Sequence, residues 1–417
     1  MARASVPLIT LGTIATGVAM AAAPSLPVQI GVVATAAAFA ACVVLARARK
    51  VLYPAWVIVA ILYLIGPIGA VFSQSDTEGS AVAAILLGLV PFAVAGAFVR
   101  PAGIRRLPLL APLLLLLLLA AASLTWSPSA GVGSSKLILW VLTGLVPAAL
   151  ILILGGGSER ISWALILIAA FVTAVASLLF IDDSYPPTLF NINPIWASRA
   201  AFIGVLVAVF GPFPLTVKLL SAPVMFASGL ITISLGPLVG LAVGAIAGAV
   251  EALRGQAELD RRVALGWAAV GLTIGLSAIA LLAGLADPWI AEVGNDPNVS
   301  ARRDYLRAVG PLFVDSPLFG VGLGGFAATG LDDYPHNLPA EIASELGFVG
   351  LVLLVGWTVI ALRAAAGSPL LVALVVATGA FSVFSGHIGS NNEFWLFTAL
   401  ALAMPRTNRW RPDAMSA

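Results

Sequence analysis

The chain is short of most of what a water-soluble enzyme displays. Only 10% of its 417 residues are charged, against about 25% in a typical soluble domain, so it lacks the polar surface to cover a water-exposed globule. A single cysteine, Cys42, excludes an intramolecular disulfide and a thiolate metal cluster. There are only two histidines, His336 and His387. No HExxH, Walker or Ser-His-Asp hydrolase pattern occurs. The net charge of +2 is no footprint of nucleic-acid binding, because most basic residues form short clusters between apolar runs, where they set topology.

Apolar sequence is what remains. Hydrophobic residues make up 60% of the chain and the mean hydropathy is +1.07. Runs longer than about 18 residues with few charges recur, each able to span a bilayer as a helix. The apolar segments, long and short together, fall at approximately 5–23, 28–46, 52–72, 80–99, 107–123, 136–154, 161–180, 197–213, 215–233, 236–251, 263–286, 341–363, 368–386 and 393–405. Some are short and the last is marginal, so the pattern predicts an all-α integral membrane protein with about 12–14 transmembrane helices. The stretch Val6 to Ala23 is longer than the usual apolar core of a signal peptide, and a retained first helix is expected.

The charges assign sides. With the N-terminus inside, 16 of the 21 Lys and Arg residues fall in cytoplasmic connections or tails, as the positive-inside rule requires. Five fall outside: Lys136 and Arg199, where helices begin, and Arg302, Arg303 and Arg307. The last three share one long extracytoplasmic loop, about 287–340, between N-terminal helices (1–286) and C-terminal helices with a cytoplasmic tail (341–417). Both termini are expected in the cytoplasm and the chemistry on the outer face of the plasma membrane.

That loop concentrates the polar chemistry. Arg302, Arg303 and Arg307 suit a diphosphate, because guanidinium forks give bidentate, charge-assisted hydrogen bonds. Gly320, Gly322, Gly324 and Gly325 permit tight turns; without a P-loop ending or a strand-helix setting they are a weak phosphate motif, and a membrane re-entrant turn is the plainer expectation. His336 stands in Tyr334-Pro-His336-Asn337, shortly before Glu341 and Glu345. It suits a general base near neutral pH and equally a helix cap. His387 is expected to be structural. Trp126 suits an interfacial anchor, and Arg199 is either functional or snorkelling to headgroups. Asp76-Thr-Glu78, Asp182-Asp183 and Asp332-Asp333 are metal-capable by type, but solvated loop carboxylates are the expectation and no metal is assigned.

The ordered pieces Ser300-Ala-Arg302, Asp315-Ser-Pro317-Leu-Phe-Gly320-Val-Gly322-Leu-Gly324, Tyr334-Pro-His336-Asn337 and Glu345-Leu-Gly347-Phe-Val-Gly350 resemble the signature region of the O-antigen ligase and O-antigen polymerase superfamily of bacterial membrane glycosyltransferases. Ser123-Leu-Thr-Trp126-Ser127, Asn193-Pro194 and the Ser385 to Trp395 stretch resemble it more loosely. The resemblance implies a GT-C-like enzyme, inverting, metal-independent and cofactor-free. It implies transfer of a glycan from a polyprenyl-diphosphate carrier, such as undecaprenyl diphosphate, to a glycan, glycolipid or protein hydroxyl. Carried over by position, His336 is the general base or the group that orients the acceptor, Arg302 grips the diphosphate with Arg303 assisting, and Tyr334, Asn337, Glu341, Glu345 and Trp126 support them. Where many members have a Ser-Arg-Gly step, this chain has Ser234-Leu235-Gly236-Pro237; either Arg199 supplies the second diphosphate contact or the donor is bound differently. Ligase, polymerase and protein O-oligosaccharyltransferase activities all fit the resemblance. A transporter or flippase is disfavoured because mid-helix positions are almost uncharged.

Overall fold

A computed structural model describes residues 108–154, 159–179, 194–231, 234–254 and 297–404. The segments expected at 5–23, 28–46, 52–72, 80–99 and 263–286, with Cys42, Asp76, Glu78, Asp182 and Asp183, lie outside the described residues. All regular structure among those described is helical. In chain order the helices are α1 (Ala111–Ser123), α2 (Ala130–Trp140), α3 (Val146–Leu154), α4 (Glu159–Leu179), α5 (Pro194–Phe210), α6 (Leu215–Ile231), α7 (Leu235–Arg254), α8 (Pro297–Asp315), α9 (Leu338–Ala365), α10 (Pro369–Phe384) and α11 (Asn392–Ala403). A π-turn, Val141–Leu145, joins α2 to α3, and a 3-10 helix, Gly325–Thr329, precedes α9. Among the described residues, three stretches are long and apolar enough to cross a membrane: Ala130–Leu152, Gly236–Arg254 and Leu338–Ala365. They mark the chain as a membrane protein.

The stretch expected to be one long loop contains α8, a 19-residue helix. Its apolar residues are interleaved with Arg302, Arg303, Asp304 and Arg307, so it carries no apolar run for a hydropathy reading to detect.

The chain divides into two compact units. The first holds 1–105 and 150–233, the second 106–149 and 234–417. In the first, α5 packs on α4 and α6. Gly229 lies against the Phe202 ring, and Gly204 fits between Met225 and Ala170, leaving no room for a side chain at either glycine.

In the second unit, α7 packs along α10. Gly236, Gly240 and Gly244 present a small-residue face to Phe384, Phe381 and Ala377, the close approach on which helix packing in lipid depends. Helix α9 packs on α1, α8, α10 and α11. Its start is set by Asn337, whose side chain accepts from the Ala340 N–H at 2.9 Å. Its exposed residues Phe348, Val352, Val355 and Val359 form an apolar stripe at helical spacing.

One residue breaks α9. Gly347 adopts φ 67°, ψ −162°, a conformation open to glycine and costly for others. The two bonds that an unbroken helix would make, from Phe348 to Ser344 and from Val349 to Glu345, are exchanged for four. The N–H groups of Phe348 and Val349 donate to the carbonyls of Pro317 (2.8 Å) and Leu318 (3.1 Å). The carbonyls of Ser344 and Glu345 accept from Val321 and Gly322, both at 2.9 Å. The glycine-rich turn is thereby stitched into the side of the helix, and every backbone group freed by the break has a partner.

Candidate active site

Two polar clusters flank that stitch, both within the second unit. The first is sealed. Lys136 on α2 reaches Glu341 Oε1 at 2.8 Å and Glu345 Oε1 at 2.9 Å, with side-chain exposures of 4%, 0% and 0%. The remaining carboxylate capacity goes to backbone donors. Glu345 accepts from Gly324 N–H (2.8 Å) and Phe326 N–H (3.2 Å). Glu341 Oε2 accepts from Ile388 N–H at 2.7 Å. One lysine and two glutamates thus tie α2, α9, the glycine-rich turn and the 385–391 loop together. A buried charge survives only when it is paired and hydrogen-bonded like this.

The glycine-rich turn is held from the other side by the α1–α2 connection. Ser123 Oγ accepts from Leu323 N–H at 2.9 Å, Ser127 Oγ donates to Leu323 O at 2.7 Å, and Trp126 Nε1 donates to Gly320 O at 3.2 Å. Gly320, Gly322 and Gly324 all have positive φ, and a Cβ at Gly322 would meet the Ser127 and Ser123 backbone. The glycines are there for turn geometry and close packing. Trp126, expected as an interfacial anchor, is a clamp on this turn.

The second cluster is open. His336 is the one non-glycine residue with positive φ, 54°, among the described residues. Its Nε2 lies 3.2 Å from Asp332 Oδ2, and side-chain exposures are 25% and 32%. The Tyr305 hydroxyl of α8 donates to the same oxygen at 3.2 Å. The Tyr305 ring stacks on the imidazole with centroids 5.6 Å apart and planes 17° apart. Tyr334 tilts against His336 at 4.3 Å and against His387 at 4.7 Å. Lys136 Nζ lies 5.8 Å from the Tyr334 ring centre, so that ring separates the sealed cluster from the open one.

Electrostatics follow from these contacts. Burial opposes ionisation of Asp332, but the His336 hydrogen bond, the Asp333 N–H at 2.6 Å and the Tyr305 hydroxyl outweigh it and hold the carboxyl below its usual range. Burial first, and then the Asp332 charge, push the Tyr305 phenol up; the Arg302 charge works the other way. Tyr334 is raised by burial and by nearby carboxylates. Burial lowers the His387 imidazole, whose Nδ1 accepts from Gly389 N–H at 3.1 Å.

The structure places the expected residues unevenly. His336 and Tyr334 lie side by side, and Arg302 sits one turn before Tyr305 on α8, half-buried. Arg303 is exposed on the same helix. Arg307 pairs with Asp304 at 3.3 Å in solvent. Asn337 caps α9, and Glu341 and Glu345 belong to the sealed cluster. Arg199 is buried on α5 in the first unit. Sequence reasoning missed Tyr305 and gave Asp332 no role beside His336. It also took Lys136 for a topology exception. The i, i+4 spacing of Asp332 and His336 was the available signal for their pairing, whereas nothing local joins Lys136 to glutamates more than 200 positions away.

A helical membrane protein with a half-open histidine–carboxylate pair beside an arginine-bearing helix has the parts for transfer chemistry. Residues 195–355 match the family model for O-antigen ligase. This stretch, less than half of the chain, runs from α5 into α9 and includes Arg199, Arg302, Asp332 and His336. The match supports the O-antigen ligase superfamily, a glycosyl-transfer and ligase family of the membrane. No curated protein matches the chain.

Proposed function

We propose that this protein transfers a glycan from a polyprenyl-diphosphate carrier to an acceptor hydroxyl on the outer face of the plasma membrane. His336 is the base and Arg302 grips the departing diphosphate. The observation that carries this reading is the geometry of His336. A strained backbone and two tyrosine rings hold a partly exposed imidazole, inside the stretch that matches the ligase family. Strain of this kind points to function when the surroundings enforce it.

The acceptor O–H proton moves to His336 as the acceptor oxygen bonds to the anomeric carbon. The bond from that carbon to the diphosphate oxygen breaks, and the polyprenyl diphosphate leaves with the electron pair. Attack opposite the leaving group inverts the centre. A fixed guanidinium stabilises the charge that develops on the diphosphate without reorganising during the step, so the scheme requires no metal. Arg303, exposed on the same helix, assists donor capture. The extracytoplasmic position of 287–340 and the cytoplasmic termini belong to this reading and rest on the charge pattern, while the GT-C-like architecture rests on the family resemblance alone.

Purified protein in liposomes with a polyprenyl-diphosphate-linked glycan provides the test. His336→Ala and Arg302→Ala should each lower transfer by roughly 10²–10⁴-fold, the range one proton-transfer or charge-stabilising group supplies, with unchanged circular dichroism. Retained activity in folded His336→Ala sinks the base assignment. Strong EDTA inhibition reversed by Mn²⁺ would move the diphosphate from arginine to a metal.

A further inference from the structure

Proton transfer at His336 engages one ring nitrogen and leaves the other for a different role. The surroundings decide which is which. An ionised carboxylate has only acceptor sites, so the imidazole nitrogen facing Asp332 must carry a proton to bond with it. Both Asp332 oxygens are committed. Oδ1 takes the Asp333 N–H at 2.6 Å, while Oδ2 takes His336 Nε2 and the Tyr305 hydroxyl, each at 3.2 Å. Stacking against Tyr305 on one side and Tyr334 on another opposes a half-turn of the ring that would exchange its nitrogens. Among the described residues nothing hydrogen-bonds His336 Nδ1.

We propose that Asp332 is the positioning residue of the transfer reaction. It accepts the Nε2–H of His336, fixes one tautomer and leaves Nδ1 to take the acceptor proton, while Tyr305 braces both side chains. This rests on His336 being the base. Asp332 touches no substrate and receives no proton. It orients the imidazole and stabilises the imidazolium formed as the acceptor O–H gives up its proton, the role a buried aspartate has in a serine hydrolase triad. Asp333, adjacent in sequence, contributes a backbone N–H to this arrangement.

The chain's two histidines make the test direct. Purified full-length protein labelled with ¹⁵N-histidine reports each tautomer by chemical shift, and a His387→Gln sample assigns the two rings. Wild type should show His336 protonated at Nε2. Asp332→Asn should lose that single tautomer and lower kcat by roughly 10²-fold, with KM for the lipid-linked donor little changed. Asp332→Glu should restore the tautomer and part of kcat. Tyr305→Phe, which keeps the stack and removes one hydrogen bond, should keep the tautomer and lower kcat by roughly 2- to 10-fold. His336 protonated at Nδ1 in wild type, or Asp332→Asn that alters neither tautomer nor kcat, overturns the proposal. A fully active His336→Ala overturns the base and this role together, whereas a wrong tautomer overturns this role alone.

Discussion

The sealed cluster of Lys136, Glu341 and Glu345 and the open cluster of Asp332, His336 and Tyr305 use similar groups for opposite purposes. Each sets a nitrogen base against carboxylate. In the sealed cluster Lys136 is 4% exposed and the carboxylates also bond backbone N–H groups from two loops. In the open one the imidazole is 25% exposed and keeps one nitrogen available. Complete satisfaction builds a fixed frame, and incomplete satisfaction beside it leaves one ring nitrogen unbonded among the described residues. The Tyr334 ring stands between them.

The contrast can be broken in order of expected effect. Lys136→Met removes the one cation between two fully buried carboxylates. It should cost about 3–5 kcal/mol of stability, read as a lower thermal midpoint in detergent, while the molecules that still fold keep their transfer rate. His336→Ala should do the reverse, and a Lys136→Met protein that unfolds no earlier would show that the sealed cluster is not a frame. Glu345→Gln is milder. It keeps shape and acceptor oxygen but weakens the Lys136 pair and the Gly324 and Phe326 bonds, for about 1–3 kcal/mol. Trp126→Phe removes a single bond to Gly320 O and should cost about 1 kcal/mol.

The smallest effect is a pH dependence. Burial holds the folded-state pKa of His387 below its unfolded value. Stability is then fully present above the unfolded pKa of about 6.5 and is lost as pH falls below it, because the unfolded chain takes up a proton that the native imidazole resists. Thermal midpoints of wild type should therefore fall between pH 7.5 and about 5.5 more steeply than those of His387→Gln. Parallel curves would remove His387 from the account.

Much of this was legible in the residues. Apolar run length placed 161–180, 341–363 and 368–386 within a few positions of Glu159–Leu179, Leu338–Ala365 and Pro369–Phe384, because burial in lipid leaves a one-dimensional trace. Helix α8 left none, since charges interrupt its apolar residues. The pieces Pro317-Leu-Phe-Gly320 and Glu345-Leu-Gly347 could be recognised as a resemblance, but not as two sides of one hydrogen-bonded stitch. Lys136 shows the limit most clearly. A lone lysine near the start of an apolar run looks like a boundary marker until the fold brings it two glutamates.

The break at Gly347 also bears on how the chain is made. Residues 317–322 leave the ribosome about 25 positions ahead of it, carrying two carbonyls and two N–H groups whose partners do not yet exist. Buried without a partner, each such group costs roughly 1–3 kcal/mol. The turn and the first third of α9 are therefore best inserted together, as one hairpin-like packet. A long insertion at the exposed Gly330, where a side chain would meet nothing, separates the two pieces and tests that order of assembly. Protein yield in the membrane should fall while whatever is recovered works.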